Sequence, residues 1–95
     1  MSAPIILAFD PHALFRLEQR ASEFGLSLEE AEKRATETVL RGNQSSWRHP
    51  SQHHITYHHY FADNISFYVI CEKNPWPGKQ PTHLIHTVII QRGRE

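Results

Sequence analysis

The chain has 95 residues, and ten Lys and Arg balance ten Asp and Glu, so its formal net charge is zero. This length suits one domain, residues 1–95, with a single small hydrophobic core. The longest apolar run, residues 4–9, is far shorter than the roughly 20 residues that cross a bilayer, so no membrane association is expected.

Charge is unevenly distributed along the chain. Residues 1–40 carry seven acids and four bases, whereas residues 41–95 carry six bases, three acids and seven of the eight histidines. A phosphate-bearing partner on the second part is compatible with this pattern, although the surplus is smaller than that of a dedicated nucleic-acid binder. The single cysteine, Cys71, excludes an internal disulfide, and together with the lack of a signal-peptide pattern it predicts a cytoplasmic protein.

The first third of the chain predicts a short strand at residues 5–9 and then a helix over residues 12–24. Asp10 followed by Pro11 is typical of an N-cap with proline at the first helical position, and Gly25 is typical of a helix end. The apolar stripe of this helix consists of Leu14, Leu17, Ala21 and Phe24.

A second helix is predicted over residues 28–41. Ser27 and Glu30 have the spacing of a capping box, and an apolar stripe follows at helical spacing. The stripe consists of Leu28, Ala31, Ala35 and Val39.

After Gly42 the hydrophobic period changes from helical to two, which is typical of strands. Strands are predicted over residues 53–61, 65–72 and 82–91, with a turn at 62–64 and a proline-bearing loop at 74–78. The predicted fold class is therefore α+β, with two N-terminal helices packed on a mostly antiparallel sheet of three to four strands.

His12, Arg16 and Arg20 are spaced at intervals of four, which places them on one face of the first helix. An imidazole and two guanidiniums on one face suit phosphodiester chemistry, because the imidazole can move a proton and the guanidiniums can bind phosphate. The alternative is a solvated face whose arginines pair with nearby acids.

The histidines at positions 53, 54, 58 and 59 raise the question of a metal site. His54 and His58 lie on one face of a strand but about 13 Å apart, too far for one zinc ion. The sequence therefore predicts neither a metal site nor a cofactor. The histidines are expected to line a sheet face, either as a nucleic-acid surface with Tyr57, Tyr60 and Tyr68 or through ordinary cross-strand packing.

The stretches from His12 to Arg20 and from Gly25 to Ala31, with the pair Thr87-Val88, resemble the RelE/ParE-like small toxin superfamily, in a branch that opens with a His-x3-Arg-x3-Arg helix. The resemblance implies a RelE-like fold and a metal-independent endoribonuclease toxin of a toxin–antitoxin or toxin–immunity system. Such enzymes cut RNA through its own 2′-hydroxyl and are silenced by a cognate antitoxin or immunity protein.

Carried onto this chain, the resemblance assigns His12 as general acid or base and Arg16 as the group that stabilises the phosphorane charge. Arg20 would hold a neighbouring phosphate, and Thr87 would orient the substrate or His12. Chemistry alone adds Arg48, His54, His58 and Tyr57 as candidate substrate-binding residues. The alternative function is a non-catalytic RelE-like interaction or regulatory module that binds a protein or nucleic-acid partner.

Overall fold

Two helices and five strands make up residues 4–45 and 54–94, the part of the chain that the computed structural model describes. In chain order the elements are β1 (Leu7–Phe9), α1 (Pro11–Glu23), α2 (Leu28–Arg41), β2 (Asn43–Gln44), β3 (His54–Phe61), β4 (Ile65–Lys73) and β5 (His83–Arg92). Within these residues no helix is long and apolar enough to cross a membrane.

Both helices begin at the caps that the sequence predicts. The Asp10 carboxylate accepts a hydrogen bond from the His12 backbone N–H at 2.9 Å, and the Ser27 hydroxyl accepts one from the Glu30 N–H at 3.1 Å. These side chains satisfy backbone donors that have no partner within the helix. After α1 the chain turns at Gly25, where a φ of 73° favours glycine.

The five strands form one sheet in the order β1-β5-β4-β3-β2. β1 runs parallel to β5, and the other neighbouring pairs are antiparallel. The α+β class is confirmed, but the predicted count of three to four strands is wrong. The additional strand, β2, has only two residues, which is too short for hydrophobic alternation to reveal it.

One side of the sheet, called here the helix face, carries the hydrophobic core. Its buried side chains from β4 and β5 are Ile65, Phe67, Val69, Cys71, Ile85, Val88 and Ile90. The helices pack on them through Ala13, Leu17, Ala21, Ala31, Ala35 and Val39. The fully buried stripe of α1 includes Ala13 rather than the predicted Leu14, which is half-buried. Small side chains at these positions let the helices lie close to the strands.

The other side, called here the histidine face, takes the alternate residues of the same strands. His54, Thr56, His58 and Tyr60 from β3 lie opposite Glu72, Ile70, Tyr68 and Ser66 from β4. β5 pairs Thr87 with Ile70 and then Ile85 with Cys71, so that one residue, His86, is inserted as a bulge. Because Ile85 and Val88 both point to the helix face, His86 and Thr87 both lie on the histidine face.

Candidate functional site

The predicted helix residues His12 and Arg16 are both exposed on α1, one turn apart. Within residues 4–45 and 54–94, neither Arg16 nor Arg20 takes part in an ion pair. Arg20 is half-buried, and its guanidinium Nη1 donates a hydrogen bond to the Val88 carbonyl of β5. Arg20 therefore fastens α1 to the sheet, while Arg16 extends into solvent.

A third exposed side chain on this turn of α1 is aromatic. Phe15 has 62% of its surface exposed, although a phenyl ring ordinarily gains free energy by burial. It is three residues from His12 and adjacent to Arg16, so the three side chains share the solvent side of one helical turn. We call His12, Phe15 and Arg16 the α1 patch.

Thr87 does not lie near the α1 patch. Its pairing with Ile70 directs the side chain to the histidine face, whereas α1 packs on the helix face. The sheet therefore separates Thr87 from His12. Sequence spacing did not reveal this separation, because β5 is apolar on both alternations and its pattern does not show which side packs on the helices.

The candidate substrate-binding residues are also divided between the two faces. Tyr57 pairs with Val69 and packs against the core on the helix face, with its hydroxyl 3.5 Å from His83 Nε2. Burial raises the pKa of Tyr57 and lowers that of His83. Arg48 lies outside the described residues.

His54 and His58 both lie on the histidine face, as their spacing predicts. His58 stacks on Tyr68, with ring centroids 4.5 Å apart and planes inclined by 28°. Its Nε2 atom is buried and has no hydrogen-bond partner among the described residues, and the same holds for the Thr56 hydroxyl between the two histidines. Buried polar atoms in this state are commonly satisfied by water.

The structure brings His54 together with two residues that the sequence did not single out, Glu72 and His86. His86 Nε2 lies 3.0 Å from Glu72 Oε1, and the His54 and His86 ring centroids are 4.7 Å apart. One potential ligand atom from each residue lies within 4.8 Å of the other two. We call these three residues the His–Glu cluster. The Glu72 and His86 side chains are about one-third exposed, at 31% and 30%, so solvent reaches the cluster.

Two of the three residues of this cluster could have been paired from the sequence. A tight turn at residues 62–64 that pairs Phe61 with Ile65 also pairs His54 with Glu72 further along the hairpin. The predicted strands and turn thus contained the His54–Glu72 pair. His86 was not available, because its position depends on the bulge in β5 and on the loop between β4 and β5.

Two cavities lie along α2. One of about 290 Å³ lies between α2 and the turn from β3 to β4, where Arg34 bonds both Glu30 and Asp63. The other, of about 370 Å³, lies between α2 and Phe9. Neither of these two cavities is lined by the α1 patch.

Comparison with protein-family models, with curated proteins and with solved structures finds no match to this chain.

Proposed function

We propose that the chain is a RelE-like, metal-independent endoribonuclease toxin that uses the α1 patch to cut RNA. The observation that carries the proposal is the exposure of His12, Phe15 and Arg16 on a single helical turn, with Arg16 in no ion pair within the described residues. The order of elements, two helices after a short strand and before a mainly antiparallel sheet, agrees with the resemblance.

The chemistry requires a proton carrier, a cation and a surface for a base. In this reaction the RNA 2′-oxygen attacks phosphorus, the bond from phosphorus to the 5′-oxygen breaks, and a 2′,3′-cyclic phosphate and a 5′-hydroxyl form. His12 carries out one of the two proton transfers: it either takes the proton from the 2′-hydroxyl or gives a proton to the leaving 5′-oxygen. Water carries out the other proton transfer. Arg16 donates hydrogen bonds to the phosphorane oxygens, and Phe15 stacks on a neighbouring base.

In this proposal Arg20 and Thr87 do not have the roles that the family resemblance implies. Arg20 already donates to the Val88 carbonyl, so it holds α1 in place rather than binding a second phosphate. Thr87 faces the opposite side of the sheet and takes no part in the reaction at α1.

The test uses purified, tag-free full-length protein with an RNA substrate, in buffer with and without EDTA. Cleavage should continue in EDTA and leave cyclic phosphate ends, and a 2′-deoxy sugar at the scissile position should block it. Arg16→Ala should lower kcat by about 10²–10³-fold, because it removes a contact made mainly in the transition state. Arg41→Ala is the matched control, since Arg41 is an exposed arginine at the end of α2, and it should change kcat less than twofold.

A non-catalytic interaction module is the second candidate. The exposure of Phe15 favours it, because exposed aromatic rings are common at the centres of protein interfaces. The separation of Thr87 from His12 favours it as well. If the wild-type protein leaves free RNA and ribosome-bound messages intact, the ribonuclease proposal fails and the α1 patch is a docking surface for an antitoxin or another partner.

A further inference from the structure

The His–Glu cluster lies on the opposite side of the sheet from the α1 patch and has no role in the proposed ribonuclease reaction. It combines two imidazoles and one carboxylate from three adjacent strands. We infer that His54, Glu72 and His86 form a binding site for one divalent transition-metal ion, with zinc as the best-fitting ion.

The distances fit a zinc ion after small side-chain movements. Zinc binds imidazole nitrogen and carboxylate oxygen at about 2.0–2.2 Å in a tetrahedron, so its ligand atoms lie about 3.4 Å from one another. The His86 and Glu72 atoms are already 3.0 Å apart, and the three candidate atoms lie within 4.8 Å of one another. Rotation of the His54 and His86 side chains would bring the atoms to these separations.

The ligand types decide which ion fits. Two imidazoles with one carboxylate suit zinc, whereas Mg²⁺ and Ca²⁺ prefer sites built from oxygen alone. Cys71 cannot act as a fourth ligand, because its side chain is buried on the helix face. A water molecule would complete the coordination, and the partial exposure of Glu72 and His86 leaves room for it. The site thus has the composition of an open, three-ligand zinc site.

The strands give the site its rigidity. Each ligand comes from a different strand, and β4, which carries Glu72, is the centre of the sheet. The bulge in β5 turns His86 toward the other two ligands, and bulges of this kind often aim functional side chains. A site on paired strands holds its ligands more accurately than one on a loop. The sequence predicted no metal site, because His54 and His58 are far apart along one strand and the chain has a single cysteine; the other two ligands proposed here come from other strands.

The test measures metal binding without RNA, so its outcome is independent of the ribonuclease proposal. Tag-free full-length protein, stripped with a chelator, is titrated with ZnCl₂ by calorimetry and with CoCl₂ by visible absorption. We expect one ion per chain and the intense visible bands of tetrahedral cobalt. Zinc at 100-fold above its Kd should raise Tm by about 10 °C or more.

Single substitutions then identify the ligands. His54→Gln, Glu72→Gln and His86→Gln should each weaken zinc binding by at least about 100-fold while leaving the circular dichroism spectrum unchanged, because these side chains are only partly buried. His58→Gln is the matched control: His58 lies on the same strand and face but stacks on Tyr68, and its substitution should change Kd less than threefold.

A measurement on the unaltered protein guards against misfolded variants. Under zinc titration, the ring resonances of His54 and His86 should shift in step with binding, and those of His12 and His58 should not. The inference is overturned if the folded wild type binds no zinc or cobalt. It is also overturned if binding survives all three cluster substitutions, or if it is lost in His49→Gln or His53→Gln but kept in His54→Gln.

Discussion

The two faces of the sheet are built from alternate residues of the same strands and yet differ in what holds them together. On the helix face, Phe67, Val69 and Cys71 are fully buried under two helices that present mainly alanine, leucine and valine. On the histidine face, histidine, tyrosine and glutamate side chains make ring contacts and a His–Glu pair around the buried Ile70. Burial of apolar area stabilises mainly the first face, whereas the second adds less buried apolar area and carries groups that can bind ligands.

This contrast can be tested at single-residue resolution. Because side chains alternate across a strand, each position on β4 has a neighbour that belongs to the other face. Substitutions at two adjacent positions of β4, such as Phe67 and Tyr68, therefore compare the two faces on the same strand.

The largest expected effect concerns the thiol of Cys71, on the helix face. Desolvation by burial raises its pKa to about 12 from an ordinary value of 9.0, so its thiolate fraction at pH 8 falls about a thousandfold. Alkylation by iodoacetamide should be slower than in urea-unfolded protein by at least this factor. Rapid labelling of the native protein would show that the helix face opens readily, and the contrast between the faces would then fail.

The next effect compares Phe67 with Tyr68. Phe67 is fully buried beneath the helices and packs edge-on against Phe61 at 5.3 Å, so Phe67→Ala should lower the free energy of unfolding by about 3–5 kcal/mol. Tyr68, the next residue, is half-buried on the histidine face, and Tyr68→Ala should cost about 1–2 kcal/mol. Urea denaturation of the two variants measures the difference. Equal losses would mean that both faces contribute equally to the core.

The smallest effect is expected from an ion pair at the margin of the helix face. Asp63 lies 2.8 Å from the Arg34 guanidinium, and the hydrogen bond from Arg34 is the main reason that the pKa of Asp63 is lowered. A carboxylate whose pKa is lower in the folded state stabilises the fold above its unfolded pKa, near 4, and loses this contribution as pH falls through the folded value. Because the Asp63 side chain is 44% exposed, we expect less than about 1 kcal/mol.

Asp63→Asn should therefore lower stability slightly at pH 7 and by progressively less as pH falls toward about 2, because protonation removes the charge of Asp63. Glu18→Gln serves as the control, because Glu18 is exposed and forms no ion pair within the described residues. It should leave stability unchanged at both pH values. If Asp63→Asn lowers the free energy of unfolding equally at both pH values, the shape of the Asp63 side chain matters rather than its charge.

The limits of sequence-based prediction in this protein follow from the range of the forces involved. The capping residues Asp10 and Ser27 fix the helix starts through hydrogen bonds within three residues, so both helices could be predicted from local sequence. The hairpin of β3 and β4 has a short turn, and the period of two sets its register. The divided positions of His12 and Thr87 could not be predicted, because β5 is apolar on both alternations and only the docking of α1 decides which side of it is the helix face.

The sequence by itself determined the two helices, the three long strands and the sharing of one face by His54 and His58, since each follows from hydrophobic periodicity or a local cap. Only the tertiary structure decided that β1 pairs in parallel with β5, that Arg20 is used to fasten α1, and that His86 meets His54 and Glu72. These outcomes join residues far apart in the chain. They are selected by the free energy gained when the whole helix face is buried, and this total cannot be read from any local sequence pattern.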